Sequence, residues 1–153
     1  RKLRVVGENT STGADWVRWA IRAMQSTYGY EWQGDNLLLA RTNLLLTFAE
    51  YLQARWERLP TTKELHTVAN IIAWNVWQMD GLKGVVPGSC KNGVKVTTQS
   101  LFGTTESIEH CSGCRNGNLK EHNGIYCLIR DWGLKDPKTG ENNRKIRFID
   151  MIK

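Results

Sequence analysis

Apolar residues in the first half of the chain recur at the steps of helices broken by short strands. Trp16, Val17, Ala20, Ile21 and Met24 fall three and four apart behind Ser11-Thr12-Gly13-Ala14-Asp15, where hydroxyls and an acid offer caps, and predict a helix over 14–26. Thr27-Tyr28-Gly29-Tyr30-Glu31-Trp32 is short and aromatic and predicts a buried strand ending near Glu31. Leu37, Leu38, Leu44, Leu45, Phe48, Tyr51, Leu52 and Trp56 then trace the longest helix, over 35–56, which Pro60 ends. Thr61-Thr62-Lys63-Glu64 is a capping box for a helix through Leu65, Val68, Ile71 and Ile72. Trp74-Asn75-Val76-Trp77-Gln78-Met79 alternates as a strand and stops at Asp80-Gly81. The order helix, strand, helix, helix, strand is the rhythm of a parallel α/β layer. Of the seven tryptophans, Trp16, Trp19, Trp56, Trp74 and Trp77 fall at core-facing positions, which favours packing over a base-stacking platform.

The texture changes after Pro87. Gly, Asn, Ser and Thr dominate 88–124, no helical period is visible, and all four cysteines lie between Cys90 and Cys127. The end reads as a hairpin: Ile125 to Trp132, a polar turn through Asp136-Pro137-Lys138-Thr139-Gly140, then Lys145 to Ile149. The division predicted is an α/β segment over 1–87 and a Cys-rich insertion with a terminal β-hairpin over 88–153.

At 153 residues the chain is long enough for one real core, and with 41% apolar and 24% charged residues it resembles an ordinary globular domain. No apolar run reaches the length of a membrane span and no signal-peptide core follows Arg1-Lys2-Leu3-Arg4, so a soluble, cytoplasmic protein is expected. Opening on charged residues without Met, the chain reads as a piece of something longer. The formal charge is +6, with ten Lys or Arg against eight Asp or Glu over 1–88 and eleven against seven over 89–153. The excess toward the C-terminal part favours a polyanion such as DNA there, or simply a solvated basic surface.

Two constellations carry candidate chemistry. Glu31 and Asp80 each close a predicted strand, and in open parallel sheets ligands bind beyond the carboxyl ends of the strands. An acid there can take ribose hydroxyls, and a second, being an acceptor only, can take an exocyclic amine; two ordinary solvated carboxylates would look the same. The second constellation is Cys111-x2-Cys114-x7-His122-x4-Cys127, with Cys90 upstream and His110 adjacent. A Cys-x2-Cys turn presents two thiolates to one ion. The reading is one zinc on Cys111, Cys114, Cys127 and either Cys90 or His122, with Cys90 preferred for an all-thiolate site. Unligated thiols and disulfides are the alternatives. His66 reads as an ordinary helix histidine, and no nucleophilic triad is visible.

Tyr28-Gly29-Tyr30-Glu31-Trp32-Gln33-Gly34-Asp35-Asn36 with Leu39-Ala40-Arg41-Thr42-Asn43-Leu44 resembles the second-strand segment of the S-adenosylmethionine-dependent DNA adenine methyltransferases of restriction-modification systems. Asn75-Val76-Trp77-Gln78-Met79-Asp80-Gly81-Leu82 resembles their third-strand segment. The resemblance covers about 14–87 and implies a partial Rossmann-like methyltransferase sheet. It also implies S-adenosylmethionine as cofactor, with Glu31 on its ribose, Trp32 over the adenine face, Asp80 accepting from the adenine amine, and Leu82 beside it. The family's glycine loop before the first of these strands is absent, and so is its Asn-Pro-Pro-Tyr motif, since Pro60, Pro87 and Pro137 stand apart. The chain is therefore expected to be an interior segment with no catalytic residue of its own. Its partners would be DNA and the rest of a longer methyltransferase or restriction-modification subunits. The competing expectation is a small zinc-dependent nucleic-acid-binding module.

Overall fold

The computed structural model describes residues 1–135, 140 and 142–152. Four helices precede the Cys-rich region: α1 (Lys2–Glu8), α2 (Gly13–Gln25), α3 (Gly34–Trp56) and α4 (Thr62–Asn75). Strands β1 (Gly29–Glu31) and β2 (Val76–Gln78) follow α2 and α4. Then come the hairpin β3 (Val94–Ser100) and β4 (Gly103–Glu109), the short helix α5 (Ser112–Asn116), the hairpin β5 (Leu128–Lys135) and β6 (Asn142–Arg147), and a 3-10 turn at Phe148–Met151. The turn predicted through Asp136 to Thr139 lies outside the described residues.

The caps form as the sequence predicts. Thr12 accepts from the Asp15 amide at the start of α2, and Thr61 and Glu64 close a reciprocal box on α4. Arg58 adds a bidentate ion pair at 2.8 and 3.0 Å to Glu64. Hydrogen bonding from Arg58, against some desolvation, draws the Glu64 carboxyl from its ordinary 4.5 down to about 2. At the other end of α4, Arg41 of α3 donates to the Val76 carbonyl at 2.6 Å and to the Ala73 carbonyl at 3.2 Å, a cation on the negative end of the helix.

β1 and β2 are adjacent and parallel, with Gly29 opposite Val76 and Glu31 opposite Gln78. Glu31 and Asp80 therefore lie at the same end of the pair. Three separate two-stranded sheets are present among the described residues, β1–β2, β3–β4 and β5–β6, so the α/β class holds while the sheet is one parallel pair. The core lies among α2, α3 and α4: Trp16, Ala20, Phe48, Leu52, Val68 and Ile71 are buried, and Trp16 packs on Phe48 with ring centroids 5.6 Å apart.

Several expectations change. α1 was not visible in the charged opening because its apolar content is only Leu3, Val5 and Val6; Leu3 is buried and Val6 packs on the core. The strand expected from Trp74 begins at Val76, since Trp74 and Asn75 complete the last turn of α4. Trp19 is 53% exposed and does not face the core. The region over 88–124, read as irregular, contains the β3–β4 hairpin, whose Thr- and Ser-rich strands lack an apolar face. The C-terminal hairpin lies on the α/β part, where the Tyr28 hydroxyl donates to the Arg130 carbonyl and the Trp132 indole to Asn75. Trp74 lies under Arg130 at 4.4 Å and Lys145 at 5.1 Å, cation–π contacts that hold the same hairpin down.

Asn75 is the joint of this arrangement. Its buried Nδ2 donates to the carbonyls of Met24, Gln25 and Thr27 at 3.0–3.1 Å, and its Oδ1 accepts from Trp132 at 2.8 Å. Asn75→Ala would strand these groups and should cost on the order of 3 kcal/mol in urea unfolding. Because the Glu64 carboxyl is depressed in the fold, the stability it supplies is full above pH 4.5 and lost as pH falls toward about 2. The melting-temperature gap between wild type and Glu64→Gln should therefore be constant above that range and narrow through it.

Candidate metal centre and strand-end carboxylates

The metal centre is assembled from two loops and one short helix. Cys111 and Cys114 flank the start of α5, Cys90 arrives from the turn after Pro87, and His122 from the loop after α5. Gly113 lets that knuckle close, because a Cβ there would collide with the His122 backbone nitrogen and the Asn118 carbonyl. Cys90, Cys111, Cys114 and His122 bring their ligand atoms within 4.8 Å of one another. His122 Nδ1 lies 3.6 Å from Cys90 Sγ, 3.4 Å from Cys111 Sγ and 3.6 Å from Cys114 Sγ. A tetrahedral zinc with its usual bond lengths sets sulfur and nitrogen about 3.5 Å apart, so the donor set fits this ion. With four protein ligands, a zinc held here would have no open position for a reactive water, the pattern of a structural rather than a catalytic ion.

Neighbouring polar groups hold the ligands in place. The Asn123 amide donates to Cys111 Sγ at 3.4 Å, and the Asn123 side chain bridges Lys91 and Glu109. Asn92 Oδ1 accepts from the Cys111 amide, while the Tyr126 hydroxyl accepts from the His122 amide and donates to the Leu119 carbonyl. Burial works to raise the Cys111 thiol, yet the amides of Asn123 and Cys114 and the His122 ring outweigh it and bring it down to about 6. Burial pushes Cys90 up to about 11, with the neighbouring thiols adding to the effect. The sequence marked the cysteines, His122 and the glycine of Cys-Ser-Gly-Cys, but not Asn92, Asn123 or Tyr126, which carry no local signal of a role at a metal.

Cys127 is not in the cluster, contrary to the expectation that preferred it as a ligand. It enters the β5 ladder, with its amide on the Gly84 carbonyl and its carbonyl taking the Phe148 amide. Its buried Sγ faces the Gln78 carbonyl at 3.5 Å, and burial raises the thiol to about 11. His122 takes the place assigned to it, so the set is Cys3His rather than all-thiolate. All four cysteines are free, not disulfide-bonded.

The two strand-end acids differ in their surroundings. Glu31 Oε1 accepts from the amides of Trp32 and Gln33 at 2.9 and 3.3 Å, which leaves Oε2 without a partner among the described residues. Trp32 is 54% exposed. Asp80 is buried and builds its own turn: its carbonyl accepts from the Lys83 and Gly84 amides, Oδ1 takes the Leu82 amide at 3.0 Å, and Oδ2 pairs with Lys83 Nζ at 3.5 Å. Leu82 stands out at 87% exposure. The charges of Cys114 and of Asp80, in that order, raise the Lys83 ammonium above its ordinary value. Bridges from Asp80 to Val85 and from Val85 to Tyr126 link the Asp80 turn to the Cys-rich loops. His110 and His66 are not in the ligand group.

Comparison with protein-family models, with curated proteins and with solved structures finds no match in any of the three.

Protein purified without chelator should carry close to one equivalent of zinc by elemental analysis. Cys114→Ser should lose it, and Cys127→Ser should keep it. Because the thiolates bind and the thiols do not, zinc affinity should fall as pH is lowered from about 11, where the Cys90 thiol must give up its proton to bind, and more steeply below about 6, where Cys111 is protonated as well, measured by competition with a chromogenic chelator.

Proposed function

We propose that the chain is an interior part of an S-adenosylmethionine-dependent DNA (adenine-N6) methyltransferase of a restriction-modification system, supplying the adenosine side of the cofactor pocket. The observation that carries this reading is the parallel pairing of β1 with β2, which sets Glu31 and Asp80 at one end of the pair. That end is where nucleotide-like ligands bind in parallel sheets, and a small zinc module needs no such crossover. On this reading Glu31 Oε2 is free for the ribose hydroxyls and the Trp32 indole for the adenine face. Asp80 serves the adenine amine by sharing oxygens now held by Leu82 and Lys83. The cofactor supplies the methyl group; these residues bind and orient it.

Two further features support a piece of a larger assembly. Leu38, Leu39 and Leu46 of α3 are exposed on one side of the helix, an apolar face suited to the rest of a longer chain or a restriction-modification subunit. The Cys3His set suits a structural zinc, and free thiols suit a cytoplasmic, reducing setting. No helix among the described residues is long and apolar enough to cross a membrane. The zinc-dependent nucleic-acid-binding module is the second reading, favoured by the metal cluster alone.

The isolated chain lacks the family's glycine loop and catalytic motif and should transfer no methyl group to adenine-containing duplex. It should still bind S-adenosylhomocysteine with a dissociation constant on the order of 1 mM, with amide shifts confined to 31–34 and 80–83 in nuclear magnetic resonance titration. Glu31→Gln should weaken these shifts. Saturating ligand that leaves both segments unmoved would overturn the cofactor reading.

A further inference from the structure

The C-terminal hairpin carries more positive charge than its own contacts use. Over the described residues 128–135 and 142–152, the hairpin and the turn after it hold Arg130, Lys135, Arg144, Lys145 and Arg147 against Asp131 and Asp150, a net charge of +3. Both acids are engaged. Asp150 takes the Arg147 guanidinium at two points, each 3.0 Å, and Asp131 accepts from the Gly133 amide. Among the described residues Arg147 alone of these five cations makes an ion pair, so Arg130 and Lys145 are left without a carboxylate.

These two cations face each other. Arg130 stands directly opposite Lys145 across β5 and β6, on the same face of the ribbon, where their side chains start about 5 Å apart. Both lie against one ring: Arg130 is 4.4 Å and Lys145 5.1 Å from the centre of Trp74, and Trp132 is 5.7 Å from Arg130. One cation is enough for that ring, and a second directly opposite it adds a repulsion that an anion between them would offset. Arg130 Nε is buried without an acceptor, so the protein has built no anion for this guanidinium. Arg130 is half-buried and stacked while Lys145 is exposed, which pairs a cation ordered in advance with one that can close on a ligand.

The layout decides which anion fits. A small phosphate is taken in a concave pocket on which donors converge, whereas these cations are strung along a ribbon. Arg147 follows Lys145 on the same face. Hydrogen bonding from Arg147, and after it the charges of Lys120 and Arg144, hold the Asp150 carboxyl below its ordinary value, so two more cations gather around that single acid. A row of cations without a pocket matches a chain of phosphates, and half-buried tryptophans set among them suit a nucleic acid in particular. Ile129 on the other face of the ribbon is buried, so this cationic face is the one left to solvent. The β3–β4 hairpin has no such excess, since Lys95 stands there against Glu106 and Glu109.

We propose that the β5–β6 hairpin grips the phosphodiester backbone of a nucleic acid, with Arg130 and Lys145 closing on one phosphate beside Trp74. The phosphate oxygens supply the negative charge that the pair lacks, and the guanidinium presents them a fork of donors while the ammonium adds a point charge. A backbone contact of this kind positions the strand without reading its sequence. The site rests on the DNA half of the function proposed above and not on the cofactor half.

The test is fluorescence anisotropy of a labelled duplex and of a labelled single strand with the chain purified without chelator, over a series of salt concentrations. Lys145→Gln, at an exposed position, should keep its circular dichroism while affinity falls about fivefold and the slope of log affinity against log salt loses about 1, the signature of one phosphate contact removed. Arg130→Lys keeps a charge beside Trp74 and should keep the slope. Lys95→Gln removes the same charge from β3 and should change neither affinity nor slope. Tighter binding of the duplex or of the single strand says which backbone the hairpin takes, and either supports the site. Equal losses from Lys95→Gln and Lys145→Gln show that only net charge is felt and overturn it. Unchanged affinity and slope in Lys145→Gln overturn the site and leave the DNA half standing. Failure of wild type to bind either nucleic acid overturns the site and the DNA half together, while the cofactor reading keeps its own titration. Binding to phosphatidylserine vesicles in place of both nucleic acids assigns the face to a lipid surface and overturns the proposal as well.

Discussion

The buried amide of Asn75 is the contact on which the arrangement turns. One side chain ends α4, receives the carbonyls that close α2 and lead into β1, and accepts the Trp132 indole from the C-terminal hairpin. An amide carries two donors and a carbonyl oxygen, so it can satisfy several backbone ends that would otherwise be buried without partners. With those ends pinned together, the start of β2 lies beside the start of β1, and the two strands run parallel to a common end. The position of Glu31 and Asp80 is therefore a consequence of packing at the opposite end of the strands.

The metal cluster is a second constraint of the same kind, applied to a region that apolar burial cannot organise. Between Gly88 and Gly124 the buried residues are Cys111, Gly113 and His122, the centre itself. A metal ion held by these four ligands would contribute folding free energy that the segment lacks. The Cys-rich loops are joined to the Asp80 turn through the bridges Asp80–Val85 and Val85–Tyr126 and through the Tyr126 hydroxyl on the His122 amide. Gly84 shows how closely the parts fit: its φ is +69°, and a Cβ there would collide with Ile149. A turn of the chain, a ligand cluster and the end of the C-terminal hairpin share one small volume.

The sequence by itself determined the elements whose signals are local. Thr12 and Thr61 announced two helix starts, Pro60 a stop, and the apolar steps of α2 and α4 their buried faces; the two strand-terminal acids could be paired because two helices between them imply a crossover. The cysteine spacing announced a metal knuckle for a similar reason, since Cys-x2-Cys brings two thiols together whatever surrounds them. Tertiary structure decided the rest. Leu38 and Leu39 share the apolar pattern of α3 with Leu52, yet only a neighbour can bury a face, and α3 has neighbours along one side. Cys127 is the better ligand on paper, but the β5 ladder took it into the core, while the loop before it stayed free to bring His122 to the thiols. Asn75 read as a strand residue by alternation and became the closing residue of a helix because three carbonyls and an indole, distant in sequence, converge on it. Ligand type and spacing are properties of a few neighbouring residues, whereas burial and partnership are properties of everything that packs around them.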